Sequence, residues 1–282
     1  MEEKFIDLHT HSTMSDGSMT PVEVVRHAKA QGLAAIALTD HDSIDGVREA
    51  MAEGERIGIE VVPAIEFSVK AKTEMHILGY YIDIDNKELL GQLEMIKAVR
   101  KQRIVETCQK LNDLGFAVTV EEALAIAPAG IVGRAHFAKL LADKGYTSSV
   151  KEGFERYLNN GKPAYSSTQF LSRIDAVKLI KKAGGLSFVA HLNQCRFTDD
   201  YMIKILAQLE WNGLTGIEGY YTEYTPEMQE KYQGMAKLLG LAISGGTDFH
   251  AEMKPHIQIG KGLGNLSIPY SVLENIKALR NN

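Results

Sequence analysis

The sequence predicts an α/β fold: a parallel sheet or barrel whose strands alternate with helices, interrupted once by a helical insert. Three observations carry this expectation. Short apolar runs recur along the chain, segments with helix start and stop signals lie between most of them, and the rhythm breaks between about residues 88 and 165. A length of 282 residues suits one α/β barrel of about 250 residues carrying an insertion.

The runs are "KFIDL" at 4–8, "AAIAL" at 34–38, "IEVVPAI" at 59–65, "MHILGYYI" at 75–82, "LSFVA" at 186–190, "LTGIEGYY" at 214–221 and "LAISG" at 241–245. Their buried look on both faces predicts parallel pairing. Thr20, Pro21 and Glu23 form an N-cap, a proline at the first helical position and a capping-box glutamate, and Gly32 closes the helix that follows. Ser172 and Asp175 open another helix, which ends at a glycine pair. Within the interruption, Leu89, Leu93, Ile96, Ile104, Cys108 and Leu111 recur at helical spacing. Thr119 with Glu122, and Ser149 with Glu152, predict two more capping boxes, with "GRAHFAKLLADKG" a helix between them. The expected division is a barrel domain at 1–87 and 166–282 and a small helical domain at 88–165.

Composition narrows the function classes. With 45% hydrophobic and 24% charged residues the chain is ordinary globular material, and no run approaches the roughly 20 apolar residues of a membrane span. The start, "MEEKFIDL", lacks a leader pattern, and two cysteines, Cys108 and Cys195, exclude a disulfide framework; both point to a cytoplasmic protein. The net charge of −5 gives no global nucleic-acid footprint. Yet residues 97–163 hold 11 Lys/Arg against 7 Asp/Glu, a local +4, which leaves 20 against 29, or −9, elsewhere. A basic segment on an acidic body hints at an anionic substrate.

The histidines fall at strand ends. His9 and His11 follow "FIDL", His41 follows "AAIALTD", His191 follows "LSFVA" and His250 follows "LAISGGTDF". A parallel barrel opens the carboxyl ends of its strands onto one face, so these imidazoles converge there. His9 and His11, two apart on an extended segment, point the same way. Asp16 lies beyond the turn, Glu66 closes "VVPAI", His76 opens the next run, and Asp248 sits two before His250. Imidazole with carboxylate suits zinc, manganese or iron, and paired ions of this kind clamp phosphoryl groups. His27 and His256 read as ordinary residues. The GxSxG and GxxxxGK[ST] patterns are both absent, which argues against serine-nucleophile and P-loop chemistry.

Through "DLHTHSTMSDGSMTP", "AIALTDHDSIDG", "PAIEFS", "HILGYYID", "VAHL" and "GGTDFHA", in that order, the chain resembles the PHP (polymerase and histidinol phosphatase) family of phosphoesterases. The resemblance implies a distorted (β/α)7 barrel. It implies that His9, His11, Glu66 and Asp248 hold one metal, that Glu66 bridges to a second held by His76 and His191, and that Asp16, His41 and His250 hold a third. Asp40 would orient neighbouring ligands. Leu192 and Ala251 depart from the proline and glycine common at those positions, which bears on loop shape and removes no ligand. The expected cofactors are two or three divalent ions, Mn2+ first, with Zn2+ or Fe2+ as alternatives.

The insert resembles that of a PHP subgroup typified by nucleoside 3′,5′-bisphosphate phosphatases and short-oligonucleotide 5′ nucleases. In that subgroup a "GRxH" stretch at a helix start contacts a substrate phosphate; here it is Gly133-Arg134-Ala135-His136, with Arg196 a second expected phosphate contact. The resemblance thus implies removal of the 3′-phosphate from nucleoside 3′,5′-bisphosphates. The alternatives are 5′-3′ trimming of short oligonucleotides, hydrolysis of histidinol phosphate, and a non-catalytic domain binding metal or nucleic acid. The expected partner is a small phosphorylated molecule, with no membrane or obligate protein partner.

Overall fold

A computed structural model of the chain describes residues 3–71, 73–126, 132–166 and 171–280. Each of the seven apolar runs forms a strand. In chain order the barrel begins β1 (Phe5–Thr10), α1 (Pro21–Ala30), β2 (Ala35–Leu38), α2 (Val47–Ile57), β3 (Glu60–Lys70) and β4 (His76–Tyr80). The helices α3 (Lys87–Asp113), α4 (Val120–Ile126), α5 (Arg134–Asp143) and α6 (Val150–Gly153) follow, the last running into a π-helical turn at Phe154–Leu158. The chain then returns through β5 (Leu171–Ser172), α7 (Arg173–Lys182), β6 (Leu186–Val189), α8 (Asp199–Trp211), β7 (Gly216–Tyr221), α9 (Pro226–Leu239), β8 (Ala242–Gly246), β9 (Ile268–Pro269) and α10 (Ser271–Leu279). Among the described residues no helix is long and apolar enough to cross a membrane.

The sheet order is β8-β7-β6-β4-β3-β2-β1-β9, with β5 beside β3. At the open edge, β1 meets the end of β8 through a parallel bridge between Thr10 and Phe249 and the bond from Asp248 N to His9 O (2.9 Å), so the sheet nearly closes into a barrel. The expectation of a parallel sheet needs correction at β4 and β9. β4 pairs antiparallel with both β3 and β6, and β9 pairs antiparallel with β1, so the sheet is mixed. The link from β3 to β4 explains the reversal. Five residues, 71–75, separate the strands, whereas a parallel crossover needs a dozen or more.

Period-two alternation buries both faces of the sheet. Ala35 and Ala37 join one apolar cluster with Ile6, Leu8, Val62, Ala64, Leu78 and Tyr80, while Ile36 and Leu38 pack with α1 residues Val24, Val25 and Ala28. The predicted helix starts are present. Thr20 Oγ1 accepts from Glu23 N (3.3 Å) while Glu23 Oε2 accepts from Thr20 N (2.8 Å), and Thr119 and Glu122 reciprocate in the same way. At Ser149 the box is half made, because the Glu152 carboxylate turns to Ser148 N (2.6 Å).

The helices after β4 have an apolar cluster of their own, including Leu111, Val118, Phe137, Leu141 and Leu158. Helix α3 belongs to both bodies. Leu89, Leu93 and Ile96 pack into the large cluster beside β3 and β4, whereas Ile104, Cys108 and Leu111 pack among the helices.

Candidate metal centre

All nine imidazole and carboxylate residues expected at the metals meet at the mouth of the barrel. Two routes bring them there. His9, His11, His41, Glu66, His191, Asp248 and His250 lie on or just beyond the carboxyl ends of parallel-running segments, and Asp16 on the turn after β1. His76 arrives from the opposite direction, because β4 is antiparallel and its first residue lies where its neighbours end; Ser68 pairs with His76 across the ladder. Glu66 shares its strand face with Val62 and Ala64, so its carboxylate stands above an apolar floor.

Glu66 is the hub. Its Oε1 lies 2.9 Å from His76 Nδ1 and 3.0 Å from His191 Nε2, and its Oε2 lies 3.1 Å from His41 Nδ1 and 3.3 Å from both His9 Nε2 and His11 Nε2. Asp248 Oδ1 lies 3.2 Å from His11 Nε2 and 3.6 Å from His9 Nε2. Asp16 Oδ1 lies 3.1 Å from His250 Nε2, and Asp16 Oδ2 lies 3.9 Å from His41 Nε2. Among the described residues three groups have donor atoms within 4.8 Å of one another and could each hold an ion: His11, Asp16, His41 and His250; His9, His11 and Glu66; and His41, Glu66 and His76.

The donor atoms fit a metal for a physical reason. His9 Nε2, His11 Nε2, His41 Nδ1 and Glu66 Oε2 are buried, and no hydrogen bond satisfies them. Buried polar atoms are rarely left so, and each costs about 1–3 kcal/mol. Electrostatics make the same demand. Burial opposes a proton on His11, yet Asp248 and Glu66 outweigh it and push the imidazole up to about 9; His9 is also raised, by Glu66, Glu218 and Asp248 against its burial. The carboxylates thus favour positive charge between them, which a divalent ion would provide. Burial would raise Glu66, but His41, His9 and His76 hold it well below the usual carboxylate range. Burial holds His41 and His250 below the ordinary imidazole value, with Lys254 adding to the effect at His250.

Strained backbone accompanies the cluster. His191 and Asp248 adopt φ of 24° and 58°, a region costing non-glycine residues on the order of 1–3 kcal/mol each. Gly246 permits the approach of β8 to β1, since a Cβ there would stand 2.3 Å from His9 Cβ.

The outer contacts include residues that sequence reasoning missed. Glu218, fully buried on β7, accepts from His9 Nδ1 (2.9 Å) and from His191 N (2.7 Å). Its signal was available as an acidic residue inside the apolar run "LTGIEGYY". Lys254 Nζ donates to Asp248 Oδ2 (2.6 Å), and Tyr221 Oη donates to the same oxygen (3.1 Å). Asp40 reaches the turn that carries His11 and Asp16 through two serines. It accepts from Ser12 N (2.8 Å), Ser12 Oγ (2.7 Å) and Ser15 Oγ (2.6 Å), and so shapes the turn between His11 and Asp16.

A cavity of about 1000 Å³ opens above the cluster. Asp16, His41, His76, His191, Asp248 and His250 line it on the barrel side, and Arg100, Arg103, Arg134 and His136 on the helical side. Gly133 N donates to His136 Nδ1 (3.0 Å), which leaves the proton of a neutral ring on Nε2; burial lowers this imidazole, so the neutral form is favoured. Arg134 Nη2 donates to Glu74 Oε1 (2.7 Å). Arg196 is not brought to the site: it is exposed, with φ of 51°, and lies outside the cavity lining. His27, on α1, packs against Phe249, and His256 is exposed.

Comparison with known proteins decides what this centre belongs to. Residues 7–259 match the family model described as PHP domain. The chain belongs to the PHP domain family. Among its PHP relatives, a 5′-3′ exoribonuclease of Haemophilus influenzae is 34% identical over 264 residues, covering 93% of this chain and 95% of that protein. A 3′,5′-nucleoside bisphosphate phosphatase of Chromobacterium violaceum is 35% identical over 248 residues, 87% of each. A solved Chromobacterium violaceum structure, described as an amidohydrolase with bound sulfate and no metal, superposes with a TM-score of 0.86 at 32% identity and covers 97% of this chain and 96% of its own. The PHP family and the clustered histidines and carboxylates imply divalent metal ions, and the protein is a metal-dependent phosphoric ester hydrolase.

Proposed function

We propose that the protein removes the 3′-phosphate from nucleoside 3′,5′-bisphosphates. The observation that carries this reading is the two-sided cavity, with the histidine and carboxylate cluster on one wall and the guanidinium and imidazole groups of Arg134 and His136 on the other. A substrate with two phosphates suits two such walls. His9, His11, Glu66 and Asp248 would hold one ion, Glu66, His76 and His191 a second, and Asp16, His41 and His250 a third, with manganese the first choice and zinc or iron the alternatives. When bound, such ions neutralise phosphoryl charge and supply hydroxide from water near neutral pH.

The remaining work falls to the chain. Arg134, with its planar fork, and His136, donating from Nε2, would hold the 5′-phosphate at the start of α5, where the helix dipole favours an anion. Binding energy from this non-reacting phosphate would orient the 3′-ester over the metals. Glu218 and Lys254 would hold His9 and Asp248 in their ligating orientations. Residues 88–165 would form the substrate cap, and the two buried, unpaired cysteines agree with a reducing cytoplasm. Arg196 has no part in this reading.

The test is phosphate release with added manganese across bisphosphonucleosides, short oligonucleotides, cyclic nucleotides and sugar phosphates. The bisphosphonucleosides should lead, and Asp248→Asn should abolish turnover with the fold intact. Full activity in metal-free protein would defeat the reading. Arg134→Ala should weaken bisphosphonucleosides more than an aryl phosphate, and an equal loss on both would remove its role. The name of the Haemophilus relative favours a second reading, 5′-3′ trimming of short oligonucleotides at the same centre. Length-dependent release of mononucleotides would establish it.

A further inference from the structure

Helix α3 carries two arginines that reach opposite sides of the cavity. Arg100 is buried, its side chain 8% exposed, and its Nη2 donates to Asp42 Oδ2. Asp42 is the residue after His41, held at φ of 48°; its N donates to Glu66 O (2.8 Å), and its Oδ1 accepts from Ser68 N (3.1 Å). Arg100 therefore grips the loop that carries His41 where that loop joins the strand carrying Glu66. One turn later, Arg103 Nη2 donates to Val132 O (2.7 Å), the carbonyl just before the Gly133-Arg134-Ala135-His136 turn. Residues three apart share a helix face and differ by about 4.5 Å in rise. The helix itself is anchored at both ends, in the barrel cluster through Leu89 and Leu93 and in the helical cluster through Ile104 and Leu111.

We propose that Arg100 and Arg103 form a strut that sets the spacing between the metal centre and the phosphate-holding turn, and so select substrates by the separation of their two phosphates. This deepens the bisphosphate reading and rests on it. An apolar pair would join the two bodies without the desolvation cost of buried guanidinium groups, but only directional donors fix a distance and an angle between two loops. Both arginines also face the cavity, next to Arg134. Arg100 and Arg103 are positioning residues here; the contact with the 5′-phosphate belongs to Arg134 and His136.

The test uses Arg100→Gln and Arg103→Gln, with Arg100→Lys and Arg103→Lys as variants that keep the charge and guard against misfolding. Two quantities are read. The first is kcat/KM for a nucleoside 3′,5′-bisphosphate relative to an aryl phosphate in the manganese-loaded enzyme. The second is hydrogen exchange of the metal-free protein at residues 40–43 and 133–137. The strut predicts that the substrate ratio falls at least tenfold in each Gln variant and less in each Lys variant, and that either Gln substitution speeds exchange in both segments. An unchanged ratio in a folded, metal-loaded variant overturns the proposal, as does exchange that rises only in the segment each arginine touches. If the wild-type enzyme releases no phosphate from bisphosphonucleosides, the functional reading fails separately, and the exchange result alone decides whether the two loops are coupled.

Discussion

Replacing Glu218 by Gln tests whether the buried centre is built to hold metal. The side chain is fully buried and accepts two hydrogen bonds, from His9 Nδ1 at 2.9 Å and from His191 N at 2.7 Å, one on each of two residues expected to bind metal. A carboxylate has lone pairs for both donors, whereas the amide has one oxygen and must turn its NH2 group toward the other. One buried donor is then left unmatched, at a cost of about 1–3 kcal/mol. The cost lands on ligand orientation. With its Nδ1 proton held by Glu218, His9 presents the Nε2 lone pair to the space shared with Glu66 and Asp248; without that hold the ring can rotate or change tautomer. Loss of such an outer contact weakens metal binding by roughly 10–100-fold, or about 1.4–2.8 kcal/mol, the same range as the unmatched donor. Metal-free protein titrated with Mn2+ by calorimetry should show this loss while circular dichroism stays unchanged. Wild-type affinity in a folded Glu218→Gln protein would refute the reasoning, because the carboxylate would then be an ordinary buried acceptor with no bearing on the metals.

Two further predictions concern packing and pH. Gly246→Ala forces a methyl group to within 2.3 Å of His9 Cβ and 2.4 Å of His9 N, so β8 and β1 must part; stability should fall by about 1–3 kcal/mol or more in thermal melts, and manganese affinity should fall with it. Glu53, on α2, joins α1 through Arg26 (2.6 Å) and also meets Arg56 of its own helix (2.7 Å), and hydrogen bonds from Arg56 and then Arg26 hold its carboxyl at about 2. A lowered folded-state value means that the contribution is complete above the ordinary glutamate value of about 4.5 and is lost as pH falls toward 2. Wild type and Glu53→Gln should therefore differ in stability at neutral pH, with the difference shrinking as pH falls below about 4.5 and closing only once pH passes below about 2; a difference as large at pH 2 as at neutral pH would contradict the assignment.

What the sequence disclosed and what it hid divide along a physical line. The strand ends were legible because apolar runs and the residues that terminate them are local signals, and barrel topology then gathers those ends without further information. His76 shows how the argument could succeed for an incomplete reason. Its place at the start of a run would carry it to the far end of a parallel strand, and only the five-residue link that reverses β4 brings it to the mouth beside Glu66. Glu218 obeys the same strand logic as Glu66 and was overlooked because no histidine stands next to it in sequence. The Arg100–Asp42 and Arg134–Glu74 pairs had no local signal at all: 58 and 60 residues separate the partners, and neither pair exists until the helices fold back over the barrel. Arg196 fails in the opposite way, since proximity to His191 in sequence did not survive a left-handed turn that leaves its side chain in solvent. Most of the clustered imidazoles and carboxylates are thus encoded by where strands stop, whereas the groups expected to choose the substrate are encoded by how two packed bodies meet. For that reason a variant that alters α3 should change specificity before it changes the metal chemistry.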